Sequence, residues 1–143
     1  SKFILIGPDC GKLKYLKELT KELQLNKKVI FFKEMNLQEI INYSKKSSFF
    51  LQLSEKEGLG MSVVESMQLG LIPIITNVGE IKNYCAHKKN SIIFSNIENT
   101  TKEICSVLKR PEELHLLRKG AIGTWSKSST YKEEITEAFE ELI

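Results

Sequence analysis

Short apolar runs alternate with amphipathic stretches along this chain of 143 residues. A run that is apolar at every position leaves no side of a strand for solvent, so these runs predict strands buried on both faces. Between the runs, leucines and isoleucines recur at three- and four-residue steps among lysines and glutamates, which predicts amphipathic helices. The predicted strands cover residues 2–6, 29–32, 48–53, 71–75 and 91–94.

The predicted helices have local start and stop signals. Asn36 is the expected N-cap of the second helix, and Gly70 is the expected glycine after the third. Pro73 has no N–H group and therefore indicates a strand start or a sheet edge. The stretch 120–130, with its glycines and serines, predicts a loop between the last two helices. The predicted helices cover residues 11–25, 37–43, 61–69, 81–86, 98–109, 111–121 and 131–142.

The repeated strand–helix–strand order predicts an α/β fold. We expect one domain with a Rossmann-like parallel sheet and helices on both of its faces. Such sheets bind ligands outside the carboxyl ends of their strands. The loops that deserve inspection are therefore 7–12, 33–36, 54–61 and 76–80.

Composition and charge narrow the class of protein further. Hydrophobic residues make up 41% and charged residues 27%, which excludes wholesale disorder. A net charge of +3 is too small to argue for a nucleic-acid partner. No apolar run approaches the roughly 18 residues of a membrane helix. Cys10, Cys85 and Cys105 have no paired spacing and are interpreted as reduced thiols, so we expect a cytoplasmic protein.

The lysines of the first helix are expected to form a solvated face. A peripheral contact with the inner face of the membrane is the minority interpretation of the same charges.

The turn at residues 7–12 resembles a phosphate-binding loop only superficially. A P-loop needs four residues between its glycines and a hydroxyl residue after its lysine. Here three residues separate Gly7 from Gly11, and Leu13 follows Lys12. We interpret the segment as an ordinary strand-to-helix turn. A flavodoxin-like or response-regulator domain is a weak alternative, since Asp9 alone supports it.

The segment from Glu57 to Glu65 carries the most specific chemistry. Its glycines allow a close backbone approach to a ligand, and the N–H groups of Gly60, Met61 and Ser62 at a helix start suit a phosphate. The two ionised glutamates are acceptors that suit the hydroxyls of a ribose or a sugar ring. We therefore expect two carboxylates to flank an amide-lined anion site.

Other chemistries find little support. Cys85, His87 and His115 lack the spacing of metal ligands, and no Asp-x-Asp motif occurs. The chain also lacks a dinucleotide fingerprint. We expect neither a metal nor a cofactor. Trp125 is interpreted as a packing residue.

The stretch 54–84, SEKEGLGMSVVESMQLGLIPIITNVGEIKNY, resembles the retaining nucleotide-sugar glycosyltransferases of the group 1 family. Their GT-B fold has two Rossmann-like domains that face each other across a cleft. The family pattern runs from an acidic residue and Gly-Phe-Gly through Glu-Ala-Met and Gly-x-Pro to a Gly-Gly turn. The matching positions here are Glu57, Gly58, Gly60, Glu65, Met67, Gly70, Pro73 and Gly79.

The resemblance implies a role for each part of the site. It makes Glu57 the catalytic-site residue that faces the donor sugar, and Glu65 the residue that holds the ribose hydroxyls. The backbone of residues 58–60 (Gly58, Leu59, Gly60) would meet the diphosphate, and the base would lie against Lys33, Glu34 and Met35. The donor would be a nucleoside diphosphate sugar, and the acceptor a glycan or a lipid-linked acceptor.

This sequence departs from the family pattern at several positions and lacks some of the family's features. Glu80 replaces the second glycine of the turn, and Lys82 and Asn83 stand where Pro-Glu is common. The arginine and lysine that neutralise the diphosphate would lie before Ser1. We therefore expect residues 1–143 to be one C-terminal donor-binding domain without its first strand and helix and without the acceptor-binding domain. A non-catalytic nucleotide- or sugar-binding module on the same fold is the alternative.

Overall fold

The computed structural model describes residues 2–126, so the helix predicted over residues 131–142 lies outside the described range. The chain divides into two compact units, which we call unit 1 (residues 1–43) and unit 2 (residues 44–143).

Unit 1 is a strand–helix–strand motif followed by a helix. Its strands β1 (Phe3–Ile6) and β2 (Val29–Phe32) pair in parallel, and the helix α1 (Leu13–Glu22) connects them. The helix α2 (Leu37–Ser44) ends at the unit boundary. The predicted cap of α2 is confirmed, because the Glu39 amide donates to the Asn36 side chain at 3.0 Å. The Asn36 amide in turn donates to the Glu39 carboxylate at 2.9 Å, which completes a capping box.

The prediction that β1 is buried on both faces is wrong. Phe3 is 45% exposed and Ile6 is 36% exposed. Among the residues described in unit 1, no apolar side chain is fully buried. A two-stranded sheet offers too few neighbouring side chains to enclose an apolar strand from both sides.

Unit 2 contains a three-stranded parallel sheet in the order β3 (Phe49–Gln52), β4 (Ile72–Ile75), β5 (Ile92–Ile93). The parallel strands and alternating helices confirm the predicted α/β class. The helices described in this unit, up to residue 126, are α3 (Met61–Gln68), α4 (Ile81–Tyr84), α5 (Ile97–Leu108) and α6 (Pro111–Trp125).

The core of unit 2 surrounds β4, and all four of its residues are buried. On one face, Ile75 belongs to a cluster with residues of α3 such as Met67. On the other face, Ile74 belongs to a cluster with Val107 of α5 and Leu117 of α6. Because both faces are covered, β4 is a rigid base for the loops at its carboxyl end and at that of β3.

Pro73 lies inside the central strand and not at a sheet edge, so that part of the prediction is wrong. The Ile72 amide bonds to Ser48 on the β3 side at 3.0 Å. Amides alternate sides along a strand, so Pro73 faces the β5 side. There β5 pairs only with Ile74 and Ile75, and the missing N–H group of Pro73 therefore costs no ladder hydrogen bond.

The last described helix is longer than predicted. Gly120 lies within α6 and not in a loop. A Cβ atom on Gly120 would clash with the carbonyl oxygen of Lys89, so the glycine permits a close approach of two backbones. Trp125 packs against the core as predicted, with its ring 5.2 Å from that of Tyr84.

Candidate functional site

The candidate site lies where β3 leads into α3. Gly60 is the N-cap of α3 and has the left-handed conformation, with φ 73°. Its carbonyl accepts from the amides of Val63 and Val64 at 2.8 and 3.2 Å, which starts the helix. The predicted start of the helix at Met61 is therefore confirmed. Glu65 lies in the second turn and is exposed.

The amides at the start of α3 have no protein acceptor within residues 2–126. They belong to Gly60, Met61 and Ser62, and no side chain caps this end of the helix. Met61 and Ser62 are exposed, whereas Gly60 is buried. Unsatisfied amides at the positive end of a helix dipole favour an anion. The geometry therefore fits the predicted phosphate site.

The Glu57 carboxylate accepts hydrogen bonds from two neutral side chains. Its Oε1 accepts from Gln52 Nε2 at 2.6 Å and from Ser54 Oγ at 2.7 Å. Within the described part of the chain, no cation forms an ion pair with Glu57. The side chain is half-buried at the start of the loop.

Tyr84 fixes the middle of the loop from outside. Its hydroxyl donates to the Leu59 carbonyl at 2.6 Å. Burial raises the pKa of Tyr84 to about 12, with smaller contributions from Cys85 and Glu57. The hydroxyl therefore stays protonated at neutral pH and remains a donor. Leu59 itself is 48% exposed, so its carbonyl, and not its side chain, anchors the loop.

A second turn supports the loop from below. Gly79 has φ +57°, and a Cβ atom on it would clash with the Glu57 carbonyl. The Glu80 amide donates to the Gly58 carbonyl at 3.0 Å. The Glu80 carboxylate accepts from Asn83 Nδ2 at 2.6 Å, so the residue that replaces the family's second glycine has a partner on its own helix.

Sequence reasoning missed three residues that shape this site. Gln52 and Ser54 are polar residues at and just beyond the end of an apolar strand, and that position was a usable signal. Tyr84 is 25 residues away from the carbonyl it contacts, and nothing in the linear pattern indicates it.

The segment predicted to meet the base lies in unit 1. Lys33, Glu34 and Met35 follow β2, and the first two are exposed while Met35 is half-buried. The other predicted donor residues belong to unit 2. The contact of the base with residues 33–35 therefore stays a prediction.

Two further findings concern the described residues alone. No three His, Cys, Asp or Glu side chains among residues 2–126 are grouped as metal ligands. None of the helices in that range is both long and apolar enough to cross a membrane.

Residues 1–124 match the family described as glycosyl transferases group 1. An uncharacterized glycosyltransferase of Haemophilus influenzae is 31% identical over 100 residues, which are 68% of this chain and 28% of the relative. The structure of Anabaena Alr3699/HepE in complex with UDP-glucose has a TM-score of 0.79 at 19% identity, over 98% of this chain and 41% of that protein.

The C-terminal domain of LpcC, a group 1 family glycosyl transferase from Francisella tularensis, has a TM-score of 0.71 at 17% identity. This match covers 84% of the present chain and 65% of that domain structure. At these identities the two solved structures show a shared fold. The chain spans less than a third of its Haemophilus relative.

Proposed function

Because the chain belongs to the group 1 glycosyltransferase family, we propose that its Glu57–Glu65 segment binds the donor of a retaining glycosyltransferase. The donor is a nucleoside diphosphate sugar, and no metal or cofactor takes part. The acceptor is a glycan or a lipid-linked molecule, and the part of the protein that binds it lies outside residues 1–143. The protein works in the cytoplasm, where a peripheral membrane contact would bring it to a lipid-linked acceptor.

The observation that carries this proposal is the uncapped start of α3 between two glutamates. The amides of Gly60, Met61 and Ser62 have no protein acceptor among residues 2–126. Those of the exposed Met61 and Ser62 are available for the diphosphate, on which negative charge develops as the sugar leaves. Preorganised donors of this kind contribute about 3–4 kcal/mol each to a transition state. An anion site next to two hydroxyl acceptors is the combination that a nucleotide sugar requires.

Each side chain has an assigned role in the proposal. Glu65, exposed on the second turn of α3, accepts from the ribose hydroxyls. Glu57, fixed ahead of the helix start, accepts from hydroxyls of the sugar. The base lies against residues 33–35. The complex of Anabaena Alr3699/HepE with UDP-glucose supports a donor of this chemical class.

Calorimetry on the full-length protein tests the proposal. UDP, GDP and ADP, each with and without a sugar, are titrated into the wild type, followed by product analysis with candidate acceptors. We expect one nucleotide and its sugar conjugate to bind, and the transferred sugar to keep its anomeric configuration. The proposal fails if no nucleotide in the panel binds.

Two substitutions separate the roles of the glutamates. Glu65→Ala removes a contact made in ground and transition states alike, so mainly the KM for the donor should rise. Glu57→Ala should mainly lower kcat, because it loosens the reacting sugar. Glu55→Ala, an exposed position in the same loop, is the matched control and should leave both constants unchanged. Wild-type kinetics in both test variants would remove the site assignment.

A non-catalytic binding module is the second candidate. Glu80 and Lys82 depart from the family pattern in the turn beside the site. Such a module would bind the nucleotide sugar but give no transfer product with any acceptor. Residues 1–143 alone should behave in this way under either proposal, since transfer needs donor and acceptor held together.

A further inference from the structure

We propose that Gln52 is a positioning residue that, together with Ser54, orients Glu57 toward the donor sugar. Both side chains bond to the same carboxylate oxygen, Oε1. The second oxygen, Oε2, is left for the hydroxyl of a ligand. This inference rests on the proposed donor site and deepens it.

The support behind Glu57 is rigid. Gln52 is the last residue of β3 and pairs with Ile75, which is fully buried. Ser54 follows two residues later, and its carbonyl accepts from the hydroxyl of Thr76. Both donors are therefore fixed to the central sheet, and they hold the carboxylate in one orientation.

Neither donor to Glu57 brings a positive charge. An amide and a hydroxyl are neutral, whereas a lysine or arginine at the same place would neutralise the carboxylate. In the described part of the chain, Oε2 of Glu57 accepts no hydrogen bond from a protein group. One oxygen is thus used for orientation, and the other keeps its capacity to accept from a sugar hydroxyl.

The direction of the Gln52 amide follows from its partner. A carboxylate only accepts, so the nitrogen of the amide must face it. The substitution Gln52→Glu keeps the shape and replaces this donor by a second carboxylate. Two carboxylates at this distance repel each other when both are ionised, and they share a proton when the pKa of one is raised.

The experiment measures binding of UDP-glucose and of UDP to the full-length protein at about pH 8 and about pH 5.5. At the higher pH we expect Gln52→Glu to weaken UDP-glucose binding roughly 10-fold, the lower end for losing a hydrogen bond to a charged group. The affinity for UDP should stay within about twofold, because the amides of α3 are unaffected. At the lower pH a shared proton restores the hydrogen bond, and most of the loss should disappear.

Two further variants keep the test interpretable. Gln52→Met removes the donor without adding charge, so its loss of UDP-glucose affinity should be the same at both pH values. Gln68→Glu adds one negative charge at an exposed position of α3 and should bind both probes like the wild type. Thermal unfolding of every variant shows whether the fold is intact.

The outcomes separate this inference from the function on which it rests. A wild type that binds no nucleotide of the UDP, GDP and ADP panel defeats the proposed donor site and this inference with it. If GDP or ADP binds in place of UDP, that nucleotide and its sugar conjugate become the two probes. A wild type that binds both probes, with Gln52→Glu and Gln52→Met binding UDP-glucose equally well, overturns the role of Gln52 alone. A loss in Gln52→Glu that is equal at both pH values also overturns it, since that pattern reflects structural damage and not orientation.

Discussion

Two of the glycine-containing turns that connect a strand to a helix differ in whether they supply an acceptor to the first amides of the helix. In unit 1, the turn between β1 and α1 uses its own aspartate. Asp9 Oδ1 accepts from the amides of Gly11 and Leu13 at 2.7 and 3.1 Å. The acceptor at the start of α1 therefore comes from the same short segment as the helix.

In unit 2, the turn between β3 and α3 leaves its amides open and is held from outside. Tyr84 bonds to the Leu59 carbonyl, and the Glu80 amide bonds to the Gly58 carbonyl. The carbonyls are used for anchoring, and the N–H groups remain available. The first turn supplies a side-chain acceptor for the first amide of its helix, whereas the second turn, fixed by distant residues, supplies none.

The largest effect should follow from disrupting the contact of Gly79 with the turn between β3 and α3. Gly79→Val places a branched side chain where even a Cβ atom would clash with the Glu57 carbonyl, at a positive φ. We expect the free energy of unfolding to fall by about 3 kcal/mol, and nucleotide binding to disappear. Denaturant unfolding and calorimetry measure the two effects.

Gly123→Ala is the matched control for this glycine. No atom lies within 4 Å of the position that its Cβ atom would occupy, and the residue lies within α6. The alanine should raise stability by up to about 1 kcal/mol through helix propensity. A Gly79→Val protein as stable as the Gly123→Ala protein would contradict the described turn.

The next largest effect should come from the N-cap of α3. In Gly60→Ala, the new Cβ atom would lie 2.9 Å from the Ile81 side chain and 3.0 Å from the Tyr84 hydroxyl, in a left-handed conformation. We expect a loss of about 2 kcal/mol in the free energy of unfolding. Adding Tyr84→Phe removes one of the crowding atoms, so a double-mutant cycle should show less than the sum of the single losses.

Tyr84→Phe on its own tests the anchor of the open turn. Loss of one neutral hydrogen bond should cost about 1 kcal/mol of stability and weaken nucleotide binding. The pKa of Tyr84 is raised from 10.0 to about 12, so its contribution is complete below pH 10 and is lost as pH rises through about 12. Stability of the variant should accordingly fall less steeply than that of the wild type between these values.

The exposed Tyr15 provides the control for the alkaline experiment. Tyr15→Phe removes one exposed phenol, and its slope of stability against pH is the reference for that of Tyr84→Phe. The pKa of Cys85 is also raised by burial, to about 11, and this thiol contributes to the slope in both proteins. The comparison therefore uses the difference between the two tyrosine variants and not the absolute slope.

Local signals account for the parts of the fold that the sequence predicted. The ends of the strands agree with the ends of the predicted apolar runs to about one residue. A buried strand needs apolar side chains at consecutive positions, which the sequence shows directly. Asn36 caps α2, and Gly70 follows α3 in the left-handed conformation, since both functions depend on a single residue type.

The errors and omissions are at positions whose role depends on distant neighbours. Glycine is typical of loops, but Gly120 lies in a helix, where the absence of a side chain allows the Lys89 backbone to come close. Pro73 is tolerated in a central strand because β5 pairs only with the residues after it, Ile74 and Ile75. The contact of Tyr84 with Leu59 joins residues 25 apart, and only the folded chain reveals it. The two glutamates could be found from the motif, whereas most of what positions them could not.

The smallest effect is expected at Asp9, in the turn between β1 and α1. This prediction tests whether that turn has a structural role only. Asp9→Ala leaves two amides without their acceptor, at an exposed position where a cap contributes about 0.5 kcal/mol. Asp9→Asn keeps an acceptor oxygen and should restore the wild-type free energy of unfolding. Nucleotide affinity should be unchanged in both, because this turn is interpreted as structural. If Asp9→Ala folded normally but lost nucleotide binding, the first turn would belong to the donor site, and the contrast between a capped and an open turn would no longer distinguish structure from function.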